Sequence, residues 1–225
     1  MMGVEDYARK VVPFQFYTDN GGSIVAIAGN DFAVIGSDTR LSSNYSIFTR
    51  DQTKLFELSD STIMGCSGCW CDTLQLTKVV KAQMQMYYHD NNKIMTTPAV
   101  SQLISTVLYY RRFMPYLVYN LLAGLDGDGR GCVYSYDPIG HCERNMFRAV
   151  GSSGALLQPL LDNQLGFLNM ENVERTPVTL QKALGILKDT FISAAERDIY
   201  TGDSLAISVI TKNGIESETF DLRKD

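Results

Sequence analysis

The chain has 225 residues, 45% of them hydrophobic, and carries 20 basic against 25 acidic side chains for a net charge of −5. That is enough chain for one domain with a well-buried core, and no global basic field exists to hold nucleic acid or an anionic membrane. No apolar run approaches the ~20 residues of a spanning helix, and the first segment, MMGVEDYARKVVPFQFYTDNGG, is too polar and aromatic for a signal peptide, so a soluble intracellular protein is expected.

Residues 1–21 read as an irregular extension. From Ser23 the chain runs SIVAIAG, a turn at GND, and FAVIGSD, two apolar strands around turn-forming residues. Short strands are predicted at Ser46–Thr49, Lys54–Leu58 and Ser61–Cys66. The period then changes to that of a helix. Between Asp72 and Asp90, Leu76, Val79, Val80, Met84 and Tyr87 mark one face, broken at Gln83. Thr97-Pro98 reads as an N-cap with proline in the first helical position, followed by the stripe Val100, Leu103, Ile104, Val107 and Leu108. Arg111-Arg112 would close that helix and complement its dipole.

Strands return at Tyr116–Leu125 and Gly131–Asp137, joined by DGDGRG. A shorter helix should follow GSSG and be interrupted or bent at Pro159. The strongest helix is predicted over Thr179–Asp198, with Leu180, Ala183, Leu184, Leu187, Phe191, Ala194 and Ala195 on one face. Ser204–Thr211 and Ile215–Leu222 close the chain around Lys212-Asn213-Gly214, a hairpin signal. Helices grouped between hairpin-rich strand blocks imply antiparallel sheets covered by helices, an α+β domain.

Five cysteines in a long chain fit reduced thiols better than a disulfide framework. Cys66, Cys69 and Cys71 form C-x-x-C-x-C, a spacing at which thiolates can share one zinc. A second half is missing, because Cys132 and Cys142 stand ten residues apart and His89 and His141 are isolated. Close packing of small residues at the end of STIMGCSG is the preferred reading, with no metal and no cofactor.

GGSIVAIAGNDFAVIGSDTR, Lys54, GCSG, GLDGDGRGCVYSYDPIG, LLDNQLGF and SAAERDIYTGD, in this order and spacing, resemble the proteasome beta-subunit family, and within it the non-catalytic sixth position of the eukaryotic beta ring. The resemblance covers nearly everything from Phe14 to Asp225. It implies the N-terminal-nucleophile hydrolase sandwich, two antiparallel sheets between two helical layers (αββα), as a single domain over 22–225 after a retained extension 1–21. It also implies a heptameric beta ring between an alpha ring and a second beta ring, and ubiquitin-dependent protein degradation in cytoplasm and nucleus.

Catalytic members use an N-terminal threonine, freed when the chain cuts itself before that residue. A hydroxyl is a weak nucleophile and needs a base, here the threonine's own α-amine with an ordinary pKa near ~8. A lysine keeps the local field positive and an aspartate orients it. The resemblance places the aspartate at Asp38 and the lysine at Lys54, sixteen residues further on, with Ser152, Asp198 and Thr201 as supporting groups. Sixteen residues before Asp38 stands Gly22, so the nucleophile is missing.

Ser23 has the right hydroxyl one position too late. In a strand that shift turns the side chain to the opposite face and moves the amine by about 3.3 Å. An active peptidase using Ser23, or Thr18 in the extension, is the alternative function, and a metal module on the three clustered cysteines is a third. Without a nucleophile, Asp38, Lys54, Ser152, Asp198 and Thr201 read as a buried polar network. Asp126, in the acidic turn LDGDG, is expected either to face the substrate pocket of the adjacent chymotrypsin-like subunit or to sit in a solvated turn.

Overall fold

The computed structural model describes residues 16–171 and 176–224. Most of the expected extension, residues 1–15, lies outside the described residues. Strands β1 (Ser23–Ala28), β2 (Phe32–Asp38), β3 (Leu41–Ser43), β4 (Ser46–Thr49), β5 (Leu55–Ser59) and β6 (Thr62–Gly68) come first. Helices α1 (Trp70–Asn91) and α2 (Thr97–Tyr110) follow, then β7 (Val118–Leu125), β8 (Gly131–Tyr136), β9 (Cys142–Asn145) and β10 (Phe147–Gly151). After α3 (Gly154–Gln164) and α4 (Leu180–Ala195), β11 (Ser204–Thr211) and β12 (Gly214–Asp221) complete the chain.

Two five-stranded antiparallel sheets result, ordered β10-β1-β2-β11-β12 and β5-β6-β7-β8-β9, with β3-β4 as a separate ribbon. Successive side chains of a strand point to opposite faces, and here both faces are covered. Ile24 and Ala26 of β1 and Ala33 and Ile35 of β2 meet Ile63, Leu121, Ala123 and Val133 of the other sheet. Val25, Ile27 and Val34 face the other way, onto Leu157 and Leu161 of α3 and Leu187 and Phe191 of α4. On the second sheet Met64, Cys66, Leu122 and Tyr134 pack under Leu76 and Val80 of α1 and Ile104 and Leu108 of α2. The order of layers is therefore helix, sheet, sheet, helix. Two-sided cover explains why SIVAIA and FAVIGSD read as unbroken buried runs rather than alternating ones.

Local signals carry through with small displacements. Lys212 and Asn213 form a two-residue loop between paired Thr211 and Gly214. Arg111 caps the end of α2. The N-cap of α2 is Thr96, whose side chain makes no capping bond, and Thr97 becomes the first helical residue. Helix α4 starts one residue later than expected, because the Thr179 hydroxyl caps it by accepting from the Lys182 amide, and it ends at Ala195. Helix α3 is not interrupted at Pro159, which lies inside its Gly154–Gln164 span. Three strands carried no readable signal, namely β3, β9 and β10.

Candidate functional site

The site gathers where β1 begins, β2 ends and the β10–α3 turn crosses over them. Chain geometry makes this meeting possible at Gly151, whose φ is +94° and where a Cβ would lie 2.1 Å from the Gly22 carbonyl oxygen. Only glycine permits so close a passage. The Ser152 amide then donates to that carbonyl at 3.0 Å, which brings Ser152 and Ser153 against the start of β1.

Asp38 and Lys54 form an ion pair of 2.8 Å with both side chains buried, 0% and 1% exposed. Lys54 Nζ also donates to the Arg40 carbonyl at 2.6 Å. The Asp38 carboxylate accepts from the Ser23 amide at 2.8 Å and the Arg40 amide at 3.2 Å. Burial pushes the Asp38 carboxyl above its ordinary value, against the pull of the Lys54 ammonium and the two amides. Three converging donors are what allow a carboxylate to stay there at all.

A second cluster lies beside it. Asp198 Oδ2 accepts from the hydroxyls of Ser152 and Ser153 at 2.6 Å each and of Thr201 at 2.7 Å. Because Thr201 donates to Asp198, the Ser23 hydroxyl, 2.8 Å from Thr201 Oγ1, donates to Thr201. Ser23 Oγ in turn accepts from the Ser153 amide at 3.0 Å. Burial alone would raise the Asp198 carboxyl, but the three hydroxyls and the Tyr200 amide outweigh it and leave it lowered. A carboxylate whose folded value lies below its unfolded 3.8 contributes stability above that pH. The contribution is lost as the pH falls through the lower, folded value. Asp198→Asn is expected to flatten the acid limb of thermal midpoint against pH, read between about pH 5 and pH 2. An unchanged limb would remove Asp198 from the acid response.

Gly22 itself stands at φ +92°, beside Gly21 at φ +67°. A Cβ built on Gly22 would lie 2.2 Å from Lys54 Nζ. The ammonium thus occupies the room that a side chain at residue 22 would need. A cavity of about 180 Å³ opens over this point, lined by Asp19, Tyr119, Ser152 and the backbone of Gly21, Gly22, Gly68 and Gly151. The hydroxyls of Ser23, Ser152, Ser153 and Thr201 are all engaged with Asp198 or one another, whereas the buried Ser67 hydroxyl, 2.9 Å from where a Cβ on Gly151 would lie, has no hydrogen-bond partner among the described residues. The arrangement supplies a field and an oriented network around Gly22, which brings no hydroxyl of its own.

Gly22, Asp38, Lys54, Ser152, Asp198 and Thr201, expected together, are therefore brought together. Thr18 is exposed and stands outside the network. Asp126 is apart from it, in the turn after the far end of β7, about 23 Å along the strand from Tyr119. Its carboxylate accepts from the Asp128 and Arg130 amides and from Arg144 at 3.0 Å, bonds that hold it below the usual carboxylate range. The clustered cysteines diverge: Cys66 faces the helix side of β6, Cys69 is buried as the residue before α1, and Cys71 is exposed. Among the described residues no three His, Cys, Asp or Glu groups converge to hold a metal ion, and no helix is long and apolar enough to cross a membrane.

Sequence reasoning missed three contributors. Ser153 gives both its amide and its hydroxyl to the network. Buried Arg40 donates to Asp203 at 2.8 Å and to the Ile199 carbonyl at 2.9 Å, tying the end of β2 to the segment carrying Asp198 and Thr201. Asn20 accepts from the Trp70 amide at 3.0 Å and donates to the Ser42 carbonyl. The arginine of GSDTR and the aspartate of YTGD were the only available signals for the Arg40–Asp203 pair.

The family described as Proteasome subunit matches residues 18–210. The chain belongs to the proteasome subunit family. Relatives named proteasome subunit beta type-1 extend the match over most of the chain. One from Danio rerio is 55% identical over 212 residues, covering 94% of this chain and 90% of its own. One from Drosophila melanogaster is 55% identical over 232 residues, covering 100% and 99%. One from Arabidopsis thaliana is 46% identical over 213 residues, covering 93% and 96%. The four-layer sandwich is the proteasome subunit fold, and the chain's kinship is with proteins named as beta type-1 subunits.

Proposed function

We propose that this chain is a non-catalytic subunit of the 20S proteasome core. In this reading it takes the sixth position of a heptameric beta ring, between an alpha ring and the opposite beta ring. There it walls the proteolytic chamber and supports catalytic neighbours in ubiquitin-dependent protein degradation, in cytoplasm and nucleus. One observation carries the proposal: where a catalytic relative keeps its threonine, this chain has Gly22 at φ +92° with the Lys54 ammonium in the side chain's place. The polar residues around it then serve as a buried brace between β1, β2 and the β10–α3 turn.

The reading takes residues 1–21 as a retained extension before one domain, 22–225, since the family's self-cleavage uses a hydroxyl that glycine lacks. Ser23 is a poor substitute: its amide is bonded to Asp38, and its hydroxyl proton points at Thr201. Intact mass spectrometry of this chain from endogenous particles tests the proposal. It should give the uncleaved mass and no adduct with a hydroxyl-directed covalent inhibitor. A new N-terminus at Ser23 carrying an adduct would establish the peptidase reading instead.

Asp126 enters the same reading as a residue shown to a neighbour's substrate pocket, held in place by Arg130, Asp128 and Arg144. Asp126→Ala in assembled particles is expected to change the peptide preference of the chymotrypsin-like neighbour by a few-fold. Unchanged preference leaves Asp126 as a turn residue only.

A further inference from the structure

The C-terminal end of α2 departs from the rest of the surface. Single exposed apolar residues are ordinary, but here Tyr109, Tyr110, Phe113 and Met114 stand within six positions, with Tyr110 84% and Phe113 88% exposed. Between them lie Arg111 and Arg112, both exposed. Among the described residues neither arginine forms an ion pair, although the chain is acidic overall. Their guanidinium groups lie over rings instead, Arg111 at 4.8 Å from the Tyr116 centroid and Arg112 at 4.7 Å and 4.6 Å from those of Tyr109 and Phe113. Stacking of this kind holds the charges in place before any partner arrives.

Beside this turn runs an apolar groove of about 350 Å³ between α1 and α2. Val79, Val107 and Tyr116 line it together with the polar Gln83 and Thr106, and Tyr110 and Arg111 complete its wall. A groove with room for one bulky side chain, bordered by Tyr110 and Arg111 and with Arg112 one residue further on, has the composition of an interface core. Contiguous apolar exposure of this kind marks a surface made to be covered.

We propose that this turn docks a segment of another proteasome subunit that offers one bulky apolar side chain flanked by carboxylates. The apolar side chain enters the α1–α2 groove, and the carboxylates pair with Arg111 and Arg112. The proposal rests on the reading of the chain as a subunit of the core particle, and it names one surface through which that assembly is made.

The test uses assembled particles containing the full chain. Phe113 is replaced by the photo-reactive p-benzoylphenylalanine, which at so exposed a position leaves the fold intact, and the cross-linked peptide is identified by mass spectrometry. The expected product joins residue 113 to a different subunit, in a peptide carrying an apolar anchor within a few residues of Asp or Glu. Arg111→Glu with Arg112→Glu should then lower incorporation of the chain at least ten-fold, while Arg111→Lys with Arg112→Lys lowers it far less. Reversing the partner's carboxylates to lysine should restore incorporation of the Glu variant. A cross-link to residues 1–15 of the same chain, to a second copy of this chain, or to a peptide without carboxylates overturns the proposal. So does the absence of any cross-link in particles that contain the chain. Absence of the unmodified chain from the particle would instead overturn the subunit reading, and this inference with it.

Discussion

Gly22→Thr does not restore a peptidase; it destabilises the chain. A β-branched residue at φ +92° resists that backbone, at about 1–2 kcal/mol for the left-handed region. The larger cost is local. The new Cβ would stand 2.2 Å from Lys54 Nζ, so the ammonium has to leave Asp38. Breaking a buried pair costs about 3–5 kcal/mol, against a total domain stability of about 5–15 kcal/mol. Because the Cβ itself makes the clash, Gly22→Ala should cost nearly as much as Gly22→Thr. Thermal midpoints of both variants, with peptide hydrolysis and inhibitor adducts assayed alongside, check this. A silent Gly22→Ala together with an adduct on Gly22→Thr would show that Lys54 yields readily and that only the hydroxyl was missing.

Lys54→Met is the second large effect. It keeps the length and apolar volume of the side chain but leaves the Asp38 carboxylate buried at 0% exposure without its cation. Two amides remain to it, from Ser23 and Arg40, and they do not replace a full charge. A loss of about 3–5 kcal/mol is expected. Adding Asp38→Asn should recover part of that loss, because the stranded charge goes with it, so the double variant costs less than the sum of the singles. Denaturation midpoints for the three variants close the cycle. Simple additivity would mean that the two side chains act independently despite their 2.8 Å separation.

These effects separate what is legible in the sequence from what is not. β1 and β2 were readable because cover on both faces makes them continuous apolar runs. Helix α4 was readable because all seven of its expected apolar positions do face one core. Strands β9 and β10 left no trace because they are short edge strands without a clean alternation: β9 exposes Glu143 and Arg144, and β10 is partly buried throughout except at Ala149. The stacking of two sheets came from the resemblance, since period alone does not say which covered faces meet. In the site, the sixteen-residue spacing of Gly22, Asp38 and Lys54 could be counted. Ser153 and Arg40 could not, since their partners are 45 and 163 residues away. Least visible was the placement of the Lys54 ammonium in the room above Gly22, which is a property of backbone dihedrals rather than of residue types.

Asn20 gives the stretch before Gly22 a mechanical meaning. Helix α1 begins after Cys69, whose own side chain caps nothing, and the open amide of Trp70 is received by Asn20 Oδ1. The Asn20 amide donates to the Gly68 carbonyl, and its carbonyl receives the Ser42 amide. The peptide that a self-processing relative sheds is, in this chain, a rivet through three elements. Severing the backbone ahead of residue 22 would free the first turn of a 22-residue helix on the opposite sheet, so that a nick at one face of the sandwich would be felt as fraying at the other.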